Sequence, residues 1–105
     1  MHPKARDAIR EFPAGIRDRL GKALFLLQMG ERLGMPVCRP MPSVAPGVVE
    51  IRLHDETGQY RTLHCLANEK GIFVLHGFVK KTQQTPLSEI QLARKRLKEM
   101  LNGED

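Results

Sequence analysis

At Val49 the apolar residues of this chain stop recurring at helical spacing and begin to alternate, and that change limits what the chain can fold into. Val49, Ile51 and Leu53 alternate with Glu50, Arg52 and His54, the pattern of a strand with one buried face. Asp55-Glu56-Thr57-Gly58 supplies a turn, and Gln59 to Ala67 resumes an extended pattern rich in β-forming residues, so the two segments are expected to pair as a hairpin. A second turn at Asn68-Glu69-Lys70-Gly71 leads into Ile72-Phe73-Val74-Leu75. That run is apolar on both faces and is expected to be the central strand, covered on two sides.

Before the change the spacing is helical. Ala5, Ile9 and Phe12 fall on one helical face before Pro13 interrupts, and Ile16, Leu20, Ala23, Leu24 and Leu27 form a second stripe with Arg17, Asp18, Arg19 and Lys22 facing water. The two read as a helical hairpin. From Gly30 to Gly47 glycines and prolines recur, which predicts a connecting loop. After the strands, Thr85 is placed to cap a last helix and Pro86 to occupy its first position. Its core face is Ile90, Ala93, Leu97 and Met100 or Leu101, with Arg94, Lys95, Arg96 and Lys98 outward and Asn102-Gly103 at its end. The expected fold is therefore α+β: an N-terminal helical hairpin, a three-stranded antiparallel meander and a C-terminal helix, in one domain over residues 1–105.

Lys and Arg number 17 against 12 for Asp and Glu, a net charge of +5, which favours a polyanionic or acidic partner. Cys38 and Cys65 lie far apart with no Cys-x-x-Cys spacing, which suggests neither a zinc ribbon nor a disulfide framework and fits a reducing cytoplasm. The longest apolar run, Ala23 to Leu27, is far short of the roughly 20 residues that span a bilayer. The N-terminus turns charged at once, unlike a secretory signal, so neither export nor a membrane partner is expected.

Three stretches carry a family resemblance: Pro46-Gly47-Val48-Val49-Glu50-Ile51-Arg52, then Gly58-Gln59-Tyr60-Arg61, then Leu75-His76-Gly77-Phe78-Val79-Lys80-Lys81-Thr82-Gln83-Gln84-Thr85-Pro86. Together they resemble the phage-derived branch of the RelE/HigB toxins. The resemblance implies the toxin of a type II toxin–antitoxin system, an endoribonuclease that cuts messenger RNA, usually on the ribosome, and is silenced by a helix-turn-helix antitoxin. It implies no cofactor. That family usually opens with a β-strand before its first helix; here the chain starts almost directly in helix, so the sheet is expected without that strand.

Metal-free RNA cleavage uses the ribose 2′-OH as nucleophile, so a protein must assist proton transfer and stabilise negative charge on the phosphate. Arg52 and Arg61 can offer planar forks of donors to phosphate oxygens, and Lys80 and Lys81 can add point charges. By resemblance, Arg61, Lys80 and Lys81 carry catalysis and Arg52 joins the lysines in holding RNA. His64 and His76, whose side chain has an unperturbed pKa near neutrality, are the candidates for proton transfer, and Phe78 is a candidate for contact with a base. Each has a plainer reading: a Lys-Lys pair often ends a solvated strand, Arg61 can pair with Glu50 or Glu56, and Phe78 suits the core. A metal site from His54, His64 and His76 lacks any fixed ligand spacing. The competing functional expectation is a non-catalytic module, either an antitoxin-binding remnant or a ParE-like inhibitor of gyrase.

Overall fold

The computed structural model describes residues 1–66 and 71–103. Helix α1 (Pro3–Arg10) and helix α2 (Ala14–Gln28) form the expected pair, and Pro13 sits at the start of α2. Then come strands β1 (Cys38–Pro40), β2 (Val49–Asp55), β3 (Gly58–Leu66) and β4 (Ile72–Lys80), and helix α3 (Leu87–Leu101) closes the chain. The α+β order read from the sequence is the observed one. The turn expected at Asn68-Glu69-Lys70 lies outside the described residues.

The antiparallel sheet runs in the order β1-β2-β3-β4, which corrects two expectations. A fourth strand, Cys38–Pro40, pairs with β2 inside the stretch expected to be all loop. Three residues are too few to show a period, so pairing alone identifies the strand. The second correction concerns β4, which is the terminal strand of the sheet, while β3 is interior. Apolarity on both faces of β4 has another cause: α1 packs on one side of it and α3 on the other.

The sheet thus carries a core on each face. On one face Ala5, Ile9, Phe12, Ile16 and Leu20 of the helical hairpin meet Ile51, Leu53, Tyr60 and Val74. On the other, Ala93, with Ile90, Leu97 and Met100, meets Leu63, Cys65, Leu75 and Phe78, joined by Met41, Val44 and Val48 from the connection before β2. Gly77 lets α1 approach: a Cβ there would lie 2.8 Å from Ile9 Cγ1, closer than packed carbons come. No strand precedes α1 among the described residues; the backbone N–H of His2 donates to the Val74 carbonyl (2.9 Å), and its ring accepts from Lys4 N–H at the start of α1.

Opposite β3 the register slips. Leu63 faces His76 while His64 faces Val74, so Leu75 is an extra residue on β4. Such a bulge breaks strict alternation, and here Leu75 and His76, neighbours in sequence, both pack toward α3.

Two expectations for α3 are corrected. Thr85 does not cap the helix, which starts at Leu87 after Pro86 with no side-chain cap; the Thr85 hydroxyl donates instead to Glu50 Oε2 at 2.8 Å. Nor does Arg96 face outward. It is buried beside Ala93, because three residues on from Ala93 is the same helical face, and its guanidinium reaches β4. Among the described residues, no helix is long and apolar enough to cross a membrane.

Candidate functional site

At one end of the sheet, on the face that α3 covers, alternation gathers cations. Arg52 of β2 and Arg61 of β3 are direct cross-strand partners, Arg61 is paired in turn with Phe78 of β4, and Gln59 with Lys80. Arg52, Gln59, Arg61, Lys80, Lys81, Thr82 and Gln83 line an open cleft of about 460 Å³, between the strand ends and the segment leading toward α3. The structure therefore brings together Arg52, Arg61, Lys80 and Lys81, the four cations singled out from the sequence.

Beneath them lies a carboxylate. Glu50 is 1% exposed, with Oε1 at 3.5 Å from Arg61 Nε and 3.8 Å from Arg52 Nε. Neither contact is an aligned hydrogen bond, so both are ion pairs at a distance. A buried carboxylate without a nearby cation is costly, and the arginines supply that cation. Arg61 is itself buried, and its Nη2 donates to Gln59 Oε1 at 2.7 Å. That bond fixes the Gln59 amide with its NH₂ free for other acceptors. Thr82 donates to the Gln84 carbonyl at 2.6 Å, which holds the turn after β4.

Lys80 is buried to 8% exposure although it lines the cleft. Burial pulls its pKa down from the usual lysine value, Arg61, Arg52 and Arg39 pull the same way, and Glu50 opposes them. The Arg61 pKa is also lowered, mainly by burial, with Glu50 propping it up. Lys81 is exposed. Arg52 and Arg61 thus pair with one carboxylate that Lys80 also feels, Lys81 adds a further cation to the lining, and the excess positive charge opens onto water.

The other sequence candidates lie elsewhere. His64 is on the opposite face of the sheet from Arg61, since three residues separate them along β3. It is buried, its Nδ1 has no hydrogen-bond partner, and burial depresses its pKa to about 4. The structure does not bring it to the cleft. His76 shares the face of Arg61 but sits farther along β4, under α3, among groups that already occupy it. Arg96 Nη1 donates to His76 Nδ1 at 2.8 Å. An arginine cannot accept, so Nδ1 is the bare nitrogen, and Nε2–H donates to Glu89 Oε2, also at 2.8 Å. Burial chiefly lowers the His76 pKa, Arg96 adds to that, and Glu89 opposes it. Phe78 is buried, stacks on the His76 ring at 5.2 Å between centroids, and packs in the core. It lines no part of the cleft.

His54, His64 and His76 do not converge, and among the described residues no group of three or more His, Cys, Asp or Glu is placed to hold a metal. Gln59, Thr82 and Gln83 were not singled out from the sequence as site residues. Strand alternation carried the signal for Gln59, two residues from Arg61; Thr82 and Gln83 were marked only by their place in the stretch that carries the family resemblance.

What this arrangement can do chemically is hold an anion by several donors at once, in a cleft whose lining contains no aromatic ring and no histidine. The sequence model of the family described as phage-derived protein Gp49-like (DUF891) matches residues 7–98. No curated protein matches the chain.

Proposed function

The chain belongs to this phage-derived Gp49-like family, and from that premise we propose that it is the toxin of a type II toxin–antitoxin pair, cutting messenger RNA at the cleft of Arg52, Arg61, Lys80 and Lys81. The observation that carries the reading is the charge imbalance: four cations line the cleft, and the one carboxylate beneath it pairs with only two of them, Arg52 and Arg61. A polyanion met there replaces water on donors that the fold holds in place.

In this reading Arg52 and Arg61 grip the non-bridging oxygens of the scissile phosphate. The 2′-oxygen attacks phosphorus, a 2′,3′-cyclic phosphate forms, and the bond to the 5′-oxygen breaks. The surrounding cations favour loss of the 2′-OH proton to solvent. Lys80, whose ammonium is made more acidic by burial and by neighbouring arginines, gives a proton to the leaving oxygen. Lys81 adds charge along the RNA backbone. The proton-transfer role passes from His64 and His76 to Lys80, because neither histidine lines the cleft.

The partners in this proposal are messenger RNA on the ribosome and a helix-turn-helix antitoxin, and the place of action is the cytoplasm. A second reading, a module that binds an antitoxin or gyrase without cutting RNA, is favoured by the absence of histidine and aromatic rings from the cleft lining. Expression in a bacterial host, with messenger RNA ends mapped in a translating extract, separates the two. The wild type is expected to arrest growth and cut RNA. The Arg61→Ala, Lys80→Ala double variant should cut at least about a hundredfold more slowly. Intact RNA in the presence of folded wild-type protein would sink the ribonuclease reading.

A further inference from the structure

A negative side chain buried under a site for a negative ligand needs a reason. Glu50 weakens attraction for phosphate, yet it is the most enclosed polar residue of the corner at 1% exposure. Its two oxygens are divided. Oε2 accepts from the Thr85 hydroxyl at 2.8 Å, which fixes the carboxylate against the segment that enters α3. Oε1 is turned to the Nε edges of both Arg61 and Arg52. A guanidinium approached on its Nε side still has N–H donors on its outer Nη edge, away from that contact. Arg61 then spends one Nη on Gln59, and the Arg52 guanidinium makes no hydrogen bond among the described residues.

We propose that Glu50 is a positioning residue for the cleft: anchored by Thr85, its charge draws Arg52 and Arg61 in from their Nε sides so that their outer nitrogens meet the phosphate in the geometry of the reaction. This rests on the RNA-cleaving reading and assigns a role inside it. The carboxylate also separates two functions. Its charge opposes ground-state binding of RNA, whereas the order it imposes on the arginines serves the transition state, so affinity and turnover are set against each other at one residue.

The test follows both quantities in the full chain. The probes are an RNA oligonucleotide for turnover and its uncleavable 2′-O-methyl counterpart for affinity. Glu50→Gln removes the charge and keeps an oxygen for Thr85; it should bind the uncleavable RNA about threefold or more tighter and turn over at least about tenfold more slowly. Glu50→Asp keeps the charge but shortens the reach; affinity should stay within about twofold while turnover falls. A residue of merely structural importance lowers both quantities together, so parallel loss overturns the proposal, as does wild-type turnover in Glu50→Gln.

Should Glu50→Gln fail to fold, Thr85→Val cuts the anchor and leaves the carboxylate; slowed turnover at unchanged affinity is expected, and unchanged turnover overturns the proposal. Should the wild type cut no RNA, the ribonuclease reading falls alone. The Nε–H resonances of Arg52 and Arg61 then decide: distinct and protected in the wild type, they should move toward free arginine in Glu50→Gln, and no movement overturns the proposal.

Discussion

Two buried polar clusters lie on one face of the sheet, a few residues apart along β4, and they are built on opposite terms. Around His76 both ring nitrogens are spent: Nε2–H goes to Glu89, Nδ1 accepts from Arg96, and Glu99 and Glu89 both act on that guanidinium. Around Glu50 donors are left over: the carboxylate pairs with two arginines, Lys80 and Lys81 line the same cleft, and unspent donors open onto it. A closed network under a helix ties that helix to the sheet. An open one under solvent leaves binding capacity for something else.

The comparison breaks most visibly at Arg61. Arg61→Ala should slow RNA cleavage about a hundredfold or more, and should also lower stability by about 3 kcal/mol in urea unfolding, since Glu50 loses its nearer cation. Retained cleavage would mean that the open cluster is not the site.

Acid tests the histidines, which the cleft lacks. Burial holds His64 at about 4, against roughly 6.5 in the unfolded chain, and lowers His76 as well. The folded state binds these protons less readily, so the stability from keeping His64 neutral is fully present above about pH 6.5 and is lost as pH falls toward 4. The loss is on the order of 3 kcal/mol from His64, with a further part from His76. Thermal unfolding across that window should show the decline, and His64→Leu should flatten it. A flat profile in the wild type would contradict the burial of both rings.

Arg96→Met isolates the closed cluster. It should cost about 2 kcal/mol through the unpaired His76 nitrogen and lost packing, while cleavage per folded molecule stays within about twofold. A large loss of cleavage in well-folded protein would join the clusters into one site. The smallest effect is expected at exposed Lys81: Lys81→Ala should change stability by less than about 0.5 kcal/mol and reduce the salt dependence of RNA binding by about 0.7 in log–log slope.

Much of this was legible in the sequence, because both periods were clean. Ala5, Ile9 and Phe12, then Ile16, Leu20 and Ala23, are buried where helical spacing put them, and the alternation of β2 placed Arg52 on the cleft face. What escaped depends on contacts distant in sequence. Thr85 looked like a cap because its partner, Glu50, lies 35 residues away. Arg96 looked solvated because a third basic residue after Arg94 and Lys95 gives no sign that β4 offers it a histidine nitrogen. The bulge at Leu75 sent His76 beneath α3 by a slip that no residue type announces, and the interior place of β3 was hidden by the stronger apolarity of β4.

The short strand β1 also limits the company the sheet can keep. An outer strand with free backbone groups invites a second molecule to continue the ladder, and such growth ends in aggregates. On the β2 side the invitation is three residues long, carries the exposed charge of Arg39 in the middle, and ends at Pro40, which has no N–H to offer. A strand so short and charged keeps the protein from meeting itself along that margin.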